Sequence, residues 1–117
     1  MIKRLIRKLD KRKPQKPAPV FLSEDPSCSN YQIGRYTYGK PRILSRDQDT
    51  TLTIGSFCSI SSNVTVLLGG EHRTDWVTTY PFNVLFEQAK GFEGHPATKG
   101  DVIIGNDVWI GWGAVLL

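Results

Sequence analysis

The residues best suited to chemistry in this 117-residue chain are its two histidines. Neutral imidazole has an ordinary pKa of about 6.5, so it can take up a proton near neutral pH and give it back. His72 stands in the run Gly-Gly-Glu-His-Arg-Thr-Asp-Trp, with the carboxylates of Glu71 and Asp75 close enough in sequence to orient its ring. From the residues alone, His72 is either a general base or a surface loop histidine, and its two acidic neighbours are either orienting groups or solvated charges. His95 lies in Gly-His-Pro-Ala-Thr-Lys-Gly, where the adjoining Pro96 points to a structural turn. Two histidines without a third, and no HxxH spacing, leave a zinc site of three protein ligands poorly supported, so no metal is expected. Cys28 and Cys58 make neither a CxxC pair nor a disulfide framework.

The elements that must hold these groups are legible from about Tyr31 onward. Ile54, Ile60 and Val66 are six apart, and so are Ile104, Ile110 and Leu116. Written out, the pattern is IGSFCS-ISSNVT-V and then IGNDVW-IGWGAV-L, with a weaker copy, IGRYTY, starting at Ile33. A helix wants apolar recurrence at three and four and a half-buried strand wants two; a period of six suits neither. Six residues do fit one face of a three-sided parallel β-helix, in which a short strand points one aliphatic side chain inward and small residues turn the corner. Three such faces make a coil of about eighteen residues, and stacked coils supply one another's core. Cys58 falls at an inward position for a small residue, so it reads as core, not as a nucleophile. Asn106 and Asp107 read as a turn.

Val66 and Ile104 are 38 positions apart where an uninterrupted helix needs six, so about 32 residues are inserted between coils. Insertions of that length in compact domains usually have a purpose. This one, about residues 67–101, holds both histidines together with Trp76, Tyr80, Phe82, Phe86 and Phe92, and it is expected to pack against the helix or a neighbouring subunit.

Charge divides the chain in two. Residues 1–16 hold eight Lys or Arg and one acid, whereas the other 101 residues hold seven basic and ten acidic side chains. The folded body is thus mildly acidic, which speaks against a nucleic-acid-binding surface. Ile2, Leu5, Ile6 and Leu9 recur at helical spacing with Lys and Arg between them, predicting a short amphipathic N-terminal helix. It suits an anionic membrane surface, packing on a subunit, or a frayed and solvated terminus. Pro14, Pro17 and Pro19 then make an extended linker, so residues 1–19 form a basic arm and residues 20–117 the β-helical domain. No apolar run is long enough for a membrane-spanning helix, and no secretory signal is evident, which suits the cytoplasm, with peripheral contact at the inner face of the membrane through residues 1–16.

The stretches IGRYTYG (33–39), TIGSFCSIS (53–61), GGEHRTDWVTTYPF (69–82) and KGDVIIGNDVWIG (99–111) together resemble the xenobiotic acetyltransferases of the hexapeptide-repeat superfamily. That family includes the hexapeptide-type chloramphenicol and streptogramin acetyltransferases. The resemblance implies an all-β, left-handed parallel β-helix and a homotrimer with sites in the clefts between subunits. It further implies transfer of an acetyl group from acetyl-CoA to a hydroxyl of a sugar or xenobiotic acceptor, with His72 as the base. On the same grounds Trp109 packs against the coenzyme A arm, its other reading being an aromatic buried between subunits. Tyr36 and Tyr38 match an acceptor-contacting region, or else serve sheet packing. Family members continue for several more coils beyond the equivalent of Leu117, so the domain is expected to be incomplete. The alternative to the enzyme is a non-catalytic β-helical scaffold or an inactive truncated fragment, which saturable coenzyme A binding separates from it.

Overall fold

The computed structural model describes residues 16–46 and 49–117. The expected N-terminal helix, and nearly all of the basic arm expected to contact a membrane, lie outside the described residues. No helix among the described residues is long and apolar enough to cross a membrane.

Among the described residues eight short strands carry the fold: β1 (Gln32–Ile33), β2 (Arg42–Ser45), β3 (Leu52–Ile54), β4 (Ser59–Ile60), β5 (Thr65–Leu68), β6 (Val102–Ile104), β7 (Trp109–Ile110) and β8 (Val115–Leu116). Every pairing between them is parallel, and they form three sheets in the orders β1-β3-β6, β2-β5-β8 and β4-β7. Consecutive strands β3, β4 and β5 lie on three different sheets, as do β6, β7 and β8, so the chain visits three faces in turn. This arrangement fits a β-helix. Thr53 pairs with Ile103, Ser59 with Trp109 and Thr65 with Val115, a constant shift of fifty positions. The circuit before it is longer than the expected eighteen residues, with Gln32 pairing with Thr53 and Arg42 with Thr65, shifts of 21 and 23 positions. The insertion accounts for most of the rise to fifty.

The spacing of six has a clear physical basis. Ile54, Ile60 and Val66 are buried, as are Leu52, Cys58, Val64, Leu68 and Ile110, while Ile33, Ile104 and Leu116 pack against them half-buried. Full burial of one such aliphatic side chain contributes about 1.5–3 kcal/mol. Three residues after each leading aliphatic the backbone turns left-handed, at Tyr36, Phe57, Asn63 and Asp107 with φ of 55–63°. Side chains with a Cβ seldom adopt that conformation. At these corners the N–H of Phe57 donates to Arg35 O and that of Asp107 to Ser56 O, at 3.0 and 2.9 Å, so each turn is tied to the circuit before it. Asn106 extends the same link, its Oδ1 accepting from the Ser56 N–H at 2.8 Å. Stacking this close demands glycine at 55, where a Cβ would lie 2.4 Å from Asn106 Oδ1 and 2.6 Å from the Gly105 carbonyl oxygen.

Cys58 is fully buried and its thiol lies 3.1 Å from the Gly105 carbonyl, in keeping with a core role. Beside it the buried Thr37 hydroxyl donates to Gly55 O at 2.7 Å and accepts from the Cys58 N–H at 3.0 Å. The chain before β1 also joins the core. Leu22 donates its N–H to Thr37 O at 2.9 Å, and the short 3-10 turns Leu22–Glu24 and Pro26–Cys28 bury Leu22 and Cys28. Asp25 caps the second turn, accepting from the N–H and hydroxyl of Ser27, and these bonds lower its carboxyl pKa.

Candidate functional site

Between β5 and β6 the chain leaves the helix for residues 69–101, Leu67 and Leu68 being the last residues of β5. At its neck Glu71 and Ala97 exchange two backbone hydrogen bonds, of 2.9 and 2.7 Å. Lys99 pairs with the Glu71 carboxylate at 3.6 Å, and Asp101 accepts from the Thr51 N–H at 2.9 Å, fastening the exit to the start of β3. Beyond the neck, Pro81 opens one helical turn, Phe82–Leu85, which Phe86 ends in an extended conformation. The rings of Tyr80, Phe82 and Phe86 meet around this turn, with centroids 4.7 Å apart for Tyr80 and Phe82 and 5.7 Å for Phe82 and Phe86.

The neck brings the two histidines together, although they are far apart in sequence. Their rings meet edge to face with centroids 5.5 Å apart. His72 is exposed, and its Nδ1 lies 2.8 Å from the Thr79 carbonyl oxygen. A carbonyl only accepts, so Nδ1 carries the proton and donates, which leaves the Nε2 lone pair of the neutral ring free. His95 has the opposite arrangement. It is 8% exposed, and its Nδ1 accepts from the Arg73 N–H at 3.4 Å, which places its proton on Nε2. Trp76 backs this ring edge to face at 5.0 Å, and the Arg73 guanidinium lies 5.3 Å from the Trp76 ring centroid. His95 is therefore packed in the interior of the insertion, with its carbonyl accepting from the Asn83 side chain at 3.2 Å.

Neither carboxylate beside His72 orients its ring. Asp75 receives the Arg73 Nε–H at 2.7 Å and a second contact from Arg73 Nη2. That pairing lowers the Asp75 carboxyl to a pKa of about 2 and raises that of Arg73. Glu71 turns instead to Lys99. The group that fixes His72 is the Thr79 carbonyl, which no side-chain pattern in the sequence announces.

Two adjoining clefts flank His72, and both are lined by Arg46, Gly70 and His72. The smaller, about 230 Å³, is completed by Pro81, Val84 and His95 among others; the larger, about 440 Å³, runs towards Glu71 and Lys99. Tyr36, Tyr38 and Trp109 line neither cleft. They lie elsewhere on the helix. Tyr38 bridges in parallel to Ser59, and Ser59 pairs with Trp109, so the two aromatics flank one serine on the same sheet. Trp109 is 79% exposed. Tyr36 stacks on Phe57 at 5.4 Å and meets Phe21 edge-on. Among the described residues no group of three or more His, Cys, Asp or Glu is placed to hold a metal ion.

Fold and site together describe a stack of parallel strands that fits a β-helix, with His72 on one long insertion. By sequence this chain is 34% identical to a chloramphenicol acetyltransferase of Escherichia coli over 115 residues and 36% identical to one of Morganella morganii over 114, in each case covering 83% of this chain. It is 41% identical to a probable macrolide acetyltransferase of Lysinibacillus sphaericus over 70 residues, 56% of this chain and 39% of that protein. Its kinship thus lies with the xenobiotic acetyltransferases that its motifs resemble. The chain spans about half, 54%, of the length of the chloramphenicol acetyltransferases it matches. No protein-family model matches it.

Proposed function

We propose that the chain carries the acceptor-activating part of an acetyl-CoA-dependent O-acetyltransferase, with His72 as general base. The observation that carries this reading is the Nδ1–H bond to the Thr79 carbonyl, which holds the ring in the tautomer whose Nε2 can take a proton. The names of the relatives support acetyl transfer to a hydroxyl-bearing acceptor. In the reaction the acceptor hydroxyl gives its proton to His72 Nε2 as its oxygen attacks the thioester carbonyl. The carbonyl electron pair moves onto oxygen, where N–H donors must meet it. Collapse breaks the C–S bond, and the imidazolium returns the proton to the leaving thiolate.

Trp109 offers the exposed apolar surface that a coenzyme A arm needs, and Tyr38, across Ser59 from it, and Tyr36, stacked on Phe57, are assigned as acceptor-side contacts. Their separation from His72 within one chain favours a homotrimer of left-handed hexapeptide coils, in which the insertion of one subunit reaches the β4–β7 face of the next. The protein works in the cytoplasm, with residues 1–16 as a peripheral contact to anionic membrane. Residues 20–117 act as the catalytic unit, and the insertion supplies its base.

The test combines calorimetry with coenzyme A, acetyl transfer assays on hydroxyl acceptors and light scattering for the trimer. In the His72→Ala variant turnover should fall by about 10²–10⁴-fold, the usual contribution of a positioned general base, with coenzyme A affinity unchanged. Unaltered turnover removes His72 from its role. Absence of coenzyme A binding by the folded protein leaves a non-catalytic β-helical scaffold or an inactive fragment in its place.

A further inference from the structure

We propose that Arg46 selects the acceptor, its guanidinium binding a carboxylate or phosphate that the acceptor carries near the hydroxyl facing His72. This rests on taking the His72 clefts as the acceptor site. Arg46 follows β2 directly, and its N–H donates to Leu68 O at 2.8 Å, so its backbone is held as a continuation of the β2–β5 ladder. Its side chain then lies across Gly70, where a Cβ would come within 2.7 Å of Arg46 Cγ and 2.8 Å of Arg46 Cβ. Gly70 also has φ of +80°, so glycine serves there both the turn and the seat of the arginine stem. Arg46 lines both clefts beside His72.

The charge balance points to the ligand. On the insertion, Arg73 is paired with Asp75, Lys90 with Glu87 and Lys99 with Glu71. The Arg46 guanidinium has neither a hydrogen bond nor an ion pair among the described residues. In the larger cleft the side chains of Lys99 and Glu71 pair with each other, and Arg46 is the cationic side chain left beside His72. A planar guanidinium presents a fork of N–H donors that matches an oxyanion bidentately, so an acidic sugar suits this cleft better than a neutral alcohol.

The experiment uses glucuronate and glucose as probes, with calorimetry and the ring resonances of His72 as readouts. Glucuronate should bind saturably and at least tenfold tighter than glucose. Arg46→Gln should abolish that difference, Arg46→Lys should keep part of it, and His72→Ala should leave it in place. Equal or absent binding of the two sugars overturns the proposal, and so does glucuronate affinity unchanged in Arg46→Gln. If Arg46→Gln weakens coenzyme A and spares glucuronate, the oxyanion belongs to the acyl donor and the proposal also falls. Glucuronate binding that depends on Arg46 in a protein without acetyl transfer would instead sink the assigned reaction and leave the anion site standing.

Discussion

Glu71 and Ala97, 26 positions apart, face each other as a two-bond antiparallel bridge and close the insertion at its base. His72 follows one partner directly and His95 stands two residues before the other, so closing the neck is what makes the imidazoles neighbours. The insertion is thereby a held structure with its own order, and His72 takes its orientation from within it, through Thr79.

Replacing Ala97 by proline removes the N–H that donates to Glu71 O. The stability lost should be about 1 kcal/mol, since the β3–β5 core is untouched. Turnover should fall far more, at least tenfold, because a displacement of about 1 Å at a reacting group can cost about 10²-fold. Steady-state kinetics beside thermal unfolding checks this. Equal loss in the two measurements would assign the neck to stability alone.

Trp109→Ala should weaken coenzyme A binding while changing the unfolding midpoint little, because its side chain is largely exposed. Its neighbour Ile110, which is buried, supplies the contrast: Ile110→Ala should cost about 2–5 kcal/mol of stability. Calorimetry and denaturant titration of the two variants separate a surface that binds from one that packs. A Trp109→Ala protein with normal affinity but a lost trimer would place the indole between subunits.

Gly55→Ala should be among the most damaging single-methyl additions. The new Cβ meets the Gly105 backbone and Asn106 Oδ1 well inside contact distance, so neighbouring circuits must move apart. A loss of about 1–3 kcal/mol is expected, as for other overpacked sites, readable as a lower urea midpoint.

Asp75 gives a pH dependence with a definite sign. Its carboxyl is held at a pKa of about 2 by the Arg73 hydrogen bond, below the ordinary carboxylate value of about 3.9. The native state therefore gains from its ionised form above pH 4, and that gain disappears as the pH falls from about 4 through 2. The difference in melting temperature between the protein and Asp75→Asn should shrink over this window and vanish at its acid end. Both groups are at the surface, so the difference is small throughout.

The sequence made the framework legible because the core is one-dimensional. Ile54, Ile60 and Val66, spaced by six in the sequence, are all buried in the core. The core placement of Cys58 and the length of the insertion follow from the same count. Local chemistry was less legible. Tyr36 and Phe57 adopt left-handed φ despite bulky side chains, because circuit-to-circuit hydrogen bonds outweigh their intrinsic preference. Leu22 and Cys28 precede the first repeat, so nothing in the spacing of six pointed to their burial. At the candidate site the acidic neighbours of His72 drew attention in sequence, yet Arg73 and Lys99 claim them, and a main-chain carbonyl takes their place.

The constant shift of fifty positions has a consequence for how the chain folds and diversifies. Gln32 meets Thr53 across 21 positions, and Thr53 meets Ile103 across fifty. Loop-closure entropy rises only by about 0.6 kcal/mol for each doubling of length, so the long detour makes the later pairing scarcely harder to close than the earlier one. The first circuits can assemble early and template the last. Because the detour adds so little to the cost of closure, insertions of other lengths and contents can be exchanged at this point with the strand stack preserved, so the insertion can diverge independently of foldability.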